Sequence, residues 1–173
     1  VYVKATDSVG MEATSNTATV TVKLHDVAVT DVTSSKTVVG QCFNLNINAT
    51  IVNLGDCTET FNVTIYANST VIQTFTNIVL ASRTSTTLVF TWTAAHITVG
   101  NYILRAIVTV VPGETDIANN TIIDGTVQVT IPGDVTGDFY VNIKDAAQIG
   151  ANWGKTIPPT PPEVDINGDG IIN

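Results

Sequence analysis

The sequence predicts a mainly β protein with a β-sandwich at its centre, a strand hairpin before it and a small loop-and-helix segment after it. Three observations support this fold class. The central region alternates apolar and polar residues with a period of two, the pattern of strands buried on one face. Turn signals separate about seven such strands, and no helical periodicity interrupts them. Thr and Val are abundant and only 13% of residues are charged, a composition typical of β-rich extracellular modules.

The overall charge favours a cation as ligand over a nucleic acid. The formal net charge of the 173 residues is −8, whereas nucleic acid phosphates require a basic surface. No apolar run approaches the roughly 20 residues of a membrane span, and no signal peptide is visible. Since the chain opens directly in strand-like sequence, we expect it to be a mature or trimmed piece of a longer protein.

The N-terminal region, residues 1–24, is predicted to form two strands, 1–10 and 17–24, joined by a polar turn. An isolated hairpin is marginally stable in water, so its apolar face (Val20, Val22 and Leu24) needs a partner. Two interpretations remain open. The segment resembles the last hairpin of a preceding immunoglobulin-like domain that is truncated here. Alternatively, it donates a strand to a neighbouring molecule, because an open sheet edge is a template for pairing.

The central region, residues 25–131, contains the strands of the predicted sandwich, beginning with residues 26–33. Inward-facing residues are predicted at alternate positions, and Trp92 has this parity, so we interpret it as core and not as a sugar-binding platform. The predicted inward set is Phe43, Leu45, Ile47, Ala49, Ile51, Phe61, Val63, Ile65, Leu88, Phe90, Trp92, Tyr102, Leu104, Ala106, Val108, Val110, Val127, Val129 and Ile131.

Four stretches of this region resemble the CARDB family. They are His-Asp-Val-Ala-Val-Thr at 25–30, Val-Asn-Leu-Gly-Asp at 52–56, Phe-Asn-Val-Thr-Ile-Tyr-Ala-Asn at 61–68 and Pro-Gly-Glu-Thr-Asp-Ile-Ala-Asn-Asn-Thr at 112–121. CARDB domains are immunoglobulin-like, adhesion-related modules of prokaryotic surface proteins, including archaeal ones. The resemblance implies an immunoglobulin-like β-sandwich at the cell surface and carries no catalytic residues.

The C-terminal region, residues 132–173, contains two acidic loops. A twelve-residue calcium loop places oxygen ligands at positions 1, 3, 5, 7, 9 and 12. The first loop is followed by a predicted helix from Ile143 to about Trp153, with Ala147 and Gly150 on the same side. The predicted Ca²⁺ ligands of the first loop are Asp134, Thr136, Asp138, the Tyr140 carbonyl, Asn142 (through water) and Asp145. Those of the second are Asp165, Asn167, Asp169, the Ile171 carbonyl and Asn173.

This tandem of loops resembles a type I dockerin, which implies bound Ca²⁺ and a cohesin as partner. The pattern departs from the family at Thr136, where Asn or Asp is usual, and at Phe139, where Gly is usual. The second loop lacks its twelfth-position carboxylate and the helix after it. The competing interpretation is that Asp-Gly and Asn-Gly clusters only form surface turns.

The two cysteines, Cys42 and Cys57, flank opposite ends of what we predict to be adjacent strands. About 36 Å of strand then separates them, whereas bridged Cα atoms lie within about 7 Å. We therefore expect either an intermolecular disulfide between stacked sandwiches or two free thiols. Four Asn-X-Ser/Thr patterns are candidate N-glycosylation sites, namely Asn48, Asn62, Asn68 and Asn119. Of these, Asn48 and Asn62 have the outward parity of their strands.

The sequence offers little for catalysis. His25 and His96 are far apart, and no zinc-like cluster of His and Cys is visible. A nucleophile elbow and a phosphate-binding glycine loop are also missing from the sequence. The leading hypothesis is a structural subunit of an extracellular, calcium-stabilised surface assembly or filament, linked to copies of itself or to neighbouring domains. The alternatives are a dockerin-type module that anchors to a cohesin-bearing scaffold and a fragment of a larger adhesin.

Overall fold

The computed structural model describes residues 3–14 and 21–173. A separate hairpin is formed by β1 (Lys4–Thr6) and β2 (Glu12–Thr14). The remaining elements, in chain order, are β3 (Val27–Ser34), β4 (Val38–Gly40), β5 (Asn44–Asn53), β6 (Glu59–Ala67), β7 (Thr70–Leu80), β8 (Ser85–Thr93), β9 (Gly100–Val108), a 3₁₀ turn at Ala118–Asn120, β10 (Thr121–Thr130), α1 (Ile143–Asn152) and a 3₁₀ turn at Pro162–Val164.

Strands β3 to β10 form a sandwich of two sheets, which confirms the predicted fold class. The larger sheet has the order β4-β10-β9-β6-β7, and the smaller has the order β3-β5-β8. Neighbouring strands of both sheets pair antiparallel, except that β4 runs parallel to β10. The inner faces of the two sheets meet in one core, to which β5 and β6 contribute every second side chain.

The predicted inward-facing residues line this core with few exceptions. Trp92 is buried and its ring meets the Tyr102 ring edge-on, with centroids 5.5 Å apart. Phe43, Leu88 and Tyr102 are half-buried against the core. Val110 is the clear error: it is 58% exposed because β9 already ends at Val108, so the alternation no longer dictates its direction.

The N-terminal hairpin differs from the prediction in both strands, since β1 covers only Lys4–Thr6 of the predicted 1–10 and the turn begins at Asp7. The second strand is β2, and the Asp7 carboxylate shapes the intervening turn by accepting the amides of Val9 and Met11 at 3.0 and 2.8 Å. Residues 21–26 form no strand, and Val22 is 86% exposed. Residues 1–2 and 15–20, which include Val20, lie outside the described part of the chain.

The C-terminal segment packs into a small core of its own. Val135, Val164 and Ile172 are buried there, with Ile149 of α1 against them. Helix α1 occupies the predicted range, and the side that carries Ile143 and Trp153 faces solvent. The backbone of residues 154–157 pairs with that of 170–172, including the Ile172 amide donating to the Lys155 carbonyl at 2.9 Å. Both loops are therefore parts of one folded unit.

Candidate metal centre

The first acidic loop brings three carboxylates together. Asp134, Asp138 and Asp145 each present an oxygen, and these oxygens lie within 4.8 Å of one another. Asp134 and Asp145 are buried, and Asp138 is half-buried. Three like charges at such separations repel strongly in a partly dry site. The arrangement therefore fits a divalent cation with a preference for oxygen ligands, as Ca²⁺ has.

Backbone amides of the loop fix the first carboxylate. Asp134 Oδ1 accepts the Gly137 amide at 2.8 Å, and Oδ2 accepts the Phe139 amide at 2.8 Å. The Thr130 hydroxyl at the end of β10 also donates to Asp134 Oδ2. Phe139 has φ of 67°, the left-handed region that costs a non-glycine residue about 1–2 kcal/mol. The loop adopts this turn despite the missing glycine because the turn aims the Phe139 amide at Asp134.

Asp145 is held by donors from both ends of the loop. Its Oδ1 accepts the amides of Val135 and Thr136, both at 3.1 Å, and its Oδ2 accepts the Asn142 amide at 2.9 Å. Burial alone would raise the pKa of Asp145, but these amides and the Thr136 hydroxyl outweigh it and hold the pKa below the ordinary value of 3.8. The carboxylate is therefore ionised at neutral pH, as a calcium ligand must be.

The remaining predicted ligands of the first loop have structural partners. The Thr136 hydroxyl donates to Asp145 Oδ1 at 3.0 Å. Asn142 caps α1, since its side-chain oxygen accepts the Lys144 amide at 2.8 Å, and with Asp145 it forms a capping box. The Tyr140 amide donates to Asp138 Oδ1 at 2.9 Å. Ligation through the Tyr140 carbonyl and through a water on Asn142 stays a prediction.

The second loop repeats the backbone arrangement but not the cluster. Asp165 accepts the amides of Gly168 and Gly170 at 2.7 and 2.9 Å, as Asp134 does at the same loop positions. Asn167 and Asn173 both donate to Asp169 Oδ2, at 3.0 and 3.2 Å. Within residues 3–14 and 21–173, no third His, Cys, Asp or Glu joins Asp165 and Asp169. Calcium at this loop, including ligation by the Ile171 carbonyl, stays a prediction.

The sandwich contributes a cation to the second loop that the sequence did not reveal. Lys36, just after β3, is buried and donates through Nζ to the Asp165 carbonyl. Desolvation lowers the pKa of Lys36, although the charges of Asp165 and Glu163 oppose this shift. Glu163 in turn accepts the Thr37 amide and hydroxyl at 3.1 and 2.6 Å. This ammonium group beside Asp165 weakens the field that would attract Ca²⁺ there.

The first loop is joined to the sandwich through β10. Gln128 Nε2 donates to the Gly137 carbonyl at 2.7 Å, and Thr130 bonds to Asp134. A Cβ at Gly137 would lie 2.5 Å from the Gln128 side-chain oxygen. A side chain there would displace Gln128, and Gly137 also has φ of 73°, in the left-handed region that favours glycine. The loop and the last strand of the sandwich form one continuous hydrogen-bonded structure.

The two cysteines are free thiols, with Cys42 exposed and Cys57 half-buried. The prediction that they flank adjacent strands is wrong, because β5 and β6 lie in different sheets. They nevertheless sit beyond opposite ends of β5, whose ten residues span about 33 Å. A bond between stacked molecules stays a prediction.

A second error concerns histidine. The sequence argument found no cluster of His and Cys, yet His25, Cys57 and Glu59 present ligand atoms within 4.8 Å of one another. The connection between β5 and β6 brings Cys57 and Glu59 beside the residue that precedes β3. The sequence signal that pointed to this proximity was indirect: the predicted boundaries of the strands place His25 just before one strand and Cys57 and Glu59 at the beginning of another.

The four candidate glycosylation sites lie in different environments. Asn48 and Asn62 are half-exposed and alternate with buried neighbours, as their parity predicted. Asn68 is exposed, and its side-chain oxygen accepts the Ile103 amide at 2.9 Å. The Asn119 side-chain nitrogen donates to Asp26 at 3.0 Å and to Asp116 at 3.4 Å, so a glycan, which replaces one of its two hydrogens, would remove one of these bonds. Glycosylation at all four stays a prediction.

Solved structures with this fold include CARDB domains. The crystal structure of a CARDB domain of a Pyrococcus furiosus protein in complex with di-metal ions is 25% identical; the match covers 65% of this chain and 94% of that chain, with a TM-score of 0.53. A solution structure of the same domain is also 25% identical. That match covers 61% of this chain and 95% of the domain, with a TM-score of 0.52. A third structure is a domain of a Methanosarcina acetivorans protein that is described as a cell surface protein. It is 28% identical, and the match covers 59% of this chain and 90% of that domain, with a TM-score of 0.44.

No curated protein matches the sequence significantly. In the described ranges, every helix is too short or too polar to traverse a lipid bilayer. The CARDB family model matches residues 24–121, which include β3 to β9 and the Pro-Gly-Glu loop. Since this is more than half of the sequence, the chain belongs to the CARDB family.

Proposed function

We propose that the protein is a structural, non-enzymatic module of an extracellular surface assembly, and that Ca²⁺ in the first acidic loop stiffens the joint between its sandwich and its C-terminal segment. The observation that carries this proposal is the convergence of Asp134, Asp138 and Asp145 within 4.8 Å. Membership of an adhesion-related family supports the surface location and the absence of catalysis. The metal ions of the Pyrococcus furiosus relative show that metals bind elsewhere in the family.

The energetic role of the ion follows from the position of the loop. Asp134 is bonded to Thr130 of β10, and Asp145 closes the loop onto the start of α1. These carboxylates converge only in the folded loop, so an ion that neutralises them and removes their repulsion binds the folded state and not the unfolded one. Binding to the folded state alone stabilises that state by mass action, by about 2.7 kcal/mol when free Ca²⁺ is 100 times its dissociation constant. The joint therefore becomes rigid where calcium is plentiful.

Calorimetric titration of the metal-free protein with Ca²⁺ tests the site. We expect one strong binding event at the first loop and a weaker one at the second, where Lys36 competes. The matched control is the Asp138→Asn variant, which keeps the hydrogen bond to Tyr140 and loses one negative charge. Absence of heat in the wild-type titration would refute the proposal.

Assembly with copies of itself is the second part of the proposal. The candidate linkages are the N-terminal hairpin as a donated strand, the Cys42 and Cys57 thiols of stacked molecules, and neighbouring surface domains. Electron microscopy of purified protein, with and without Ca²⁺, tests assembly directly. Filaments that dissolve only after thiol reduction would assign the linkage to the cysteines. Monomers under all conditions would contradict self-assembly.

A dockerin-type role is the second candidate function. The outward side of α1 favours it, since Ile143 is 80% and Trp153 64% exposed and large exposed apolar side chains mark interaction surfaces. A pull-down with an isolated cohesin domain tests this role. Retention by cohesin that depends on Ca²⁺ and is lost in Ile143→Asp would favour docking over self-assembly.

A further inference from the structure

We propose that His25, Cys57 and Glu59 form a binding site for a zinc-class transition metal at the end of the sandwich opposite the acidic loops. This site is independent of the calcium proposal. His25 precedes β3, Cys57 lies in the connection between β5 and β6, and Glu59 begins β6. Lys36 and the second acidic loop lie beyond the far end of β3.

The three side chains already converge. Their ligand atoms lie within 4.8 Å of one another, and His25 Nδ1 is 2.6 Å from Glu59 Oε1. The Glu59 side chain is 7% exposed and that of His25 is 32% exposed, so the site is buried on one side and open on the other. A Cβ at Gly113 would approach the His25 ring to 3.2 Å, which places the ring against the 112–114 turn.

Hydrogen bonds on both sides of the cluster hold its backbone in place. The Leu24 and Asp26 carbonyls, which flank His25, accept the amides of Asp56 and Leu54, each at 2.8 Å. The fully buried Asn53 donates to the Cys57 carbonyl at 2.7 Å. The three ligands are therefore presented by backbone segments that are already hydrogen-bonded to one another.

The distances suit a tetrahedral ion after a small adjustment. With metal–nitrogen and metal–sulfur bonds of about 2.0–2.3 Å, neighbouring ligand atoms of a tetrahedral site are about 3.3–3.7 Å apart. The His25–Glu59 contact, now 2.6 Å, has to lengthen by about 1 Å. The separations that involve Cys57 are no more than 4.8 Å and have to shorten by at most about 1.5 Å. Glu59 is anchored in β6 opposite Leu80, so most of this adjustment falls on the His25 and Cys57 side chains.

The donor set distinguishes this site from the acidic loops. Imidazole nitrogen, thiolate sulfur and carboxylate oxygen are ligands of Zn²⁺, whereas Ca²⁺ takes only oxygen. Three protein ligands leave a fourth position, which faces the open side of the cluster. A water or a side chain of another molecule can fill it. A metal bound here keeps Cys57 as a thiolate and so excludes its disulfide with a second molecule.

The competing explanation is that His25 and Glu59 form a simple ion pair with an uninvolved thiol nearby. Thiol protection separates the two in the wild-type protein. The reduced protein, saturated with Ca²⁺, is alkylated with and without Zn²⁺, and modification at each cysteine is measured by peptide mass spectrometry. We expect Zn²⁺ to slow the alkylation of Cys57 at least tenfold and to leave that of the exposed Cys42 unchanged. Equal protection of both thiols, or of neither, would overturn the proposal.

Variants test the ligand set with Co²⁺ as a spectroscopic substitute for Zn²⁺. We expect a sulfur-to-cobalt charge-transfer absorption at one ion per chain. Cys57→Ser should abolish it and Cys42→Ser should retain it. Glu59→Gln, which keeps the shape and a hydrogen bond to His25, should weaken Co²⁺ binding by more than about 100-fold, beyond the ~10–100-fold effect of an outer-shell partner. Melting curves in chelator confirm that each variant is folded. An absorption that persists in Cys57→Ser would refute the assignment.

Discussion

Replacing Asp138 by Asn should change the stability of the C-terminal segment in opposite directions with and without Ca²⁺. In chelator, Asp138 repels Asp134 and Asp145 across distances of up to 4.8 Å, which corresponds to about 3.5 kcal/mol per pair at an effective dielectric constant of ~20. Solvent reaches 34% of the Asp138 side chain, and Lys144 lies 3.8 Å away. Allowing for both, we expect Asp138→Asn to stabilise the metal-free segment by about 1 kcal/mol.

With Ca²⁺ the sign should reverse. Loss of one charged ligand should lower the affinity about 100-fold, which at saturating calcium removes roughly 2.7 kcal/mol of linkage stabilisation. The net result is a variant about 2 kcal/mol less stable than the wild type. Asn keeps the acceptor for the Tyr140 amide, 2.9 Å away in the wild type, so a lost hydrogen bond does not confuse the comparison.

Amide hydrogen exchange measures this local stability. The informative amides are those of Phe139 and Asn142, whose acceptors are Asp134 and Asp145. Amides of the sandwich core, such as that of Ile47, serve as the internal control and should not change. An effect of the same sign in chelator and in calcium would refute the reasoning, because it would show that Asp138 does not contact the ion.

Three further outcomes are expected. Phe139→Gly removes a strained φ of 67° and should stabilise the loop by about 1 kcal/mol in thermal unfolding; a lower melting temperature would contradict this. Gly55→Ala places a Cβ 2.7 Å from the Leu24 carbonyl and should destabilise the sandwich by about 2–3 kcal/mol in urea, whereas Ala at the open Gly150 should not. Folding lowers the pKa values of Asp145 and Glu163 below their ordinary values of 3.8 and 4.5. The stability that these carboxylates contribute is therefore complete above pH 3.8 and 4.5, and it is lost as the pH falls through their folded-state pKa values. Acid titration of the metal-free segment by circular dichroism should show this loss, and a segment that becomes more stable on acidification would disprove it.

Much of the fold could be predicted because its signals are local. The parity of Phe61, Val63 and Ile65 is a property of one strand and holds whichever strand pairs with it. β7 was harder, since it is an edge strand with irregular burial and shows no clean alternation. Val110 was misassigned because a pattern does not indicate where a strand stops pairing.

The first acidic loop was equally accessible, since Asp134, Asp138 and Asp145 belong to one continuous stretch whose spacing brings them together. The donation from Thr130 and the use of Asn142 as a helix cap required the structure. They depend on how the loop meets β10 and α1, and a ligand spacing contains no information about those contacts.

The amino-acid pattern alone determined the mainly β class, the inward faces of the strands and the stretch of chain that carries the carboxylates, because these depend on periodicity and on neighbours within about a dozen residues. Tertiary structure alone decided the division of strands between two sheets, the parallel β4–β10 pair, the burial of Lys36 against the second loop and the meeting of His25 with Cys57 and Glu59. These contacts join residues far apart in the chain. Their formation depends on how whole strands pack, and the free energy that selects one packing is shared among many side chains.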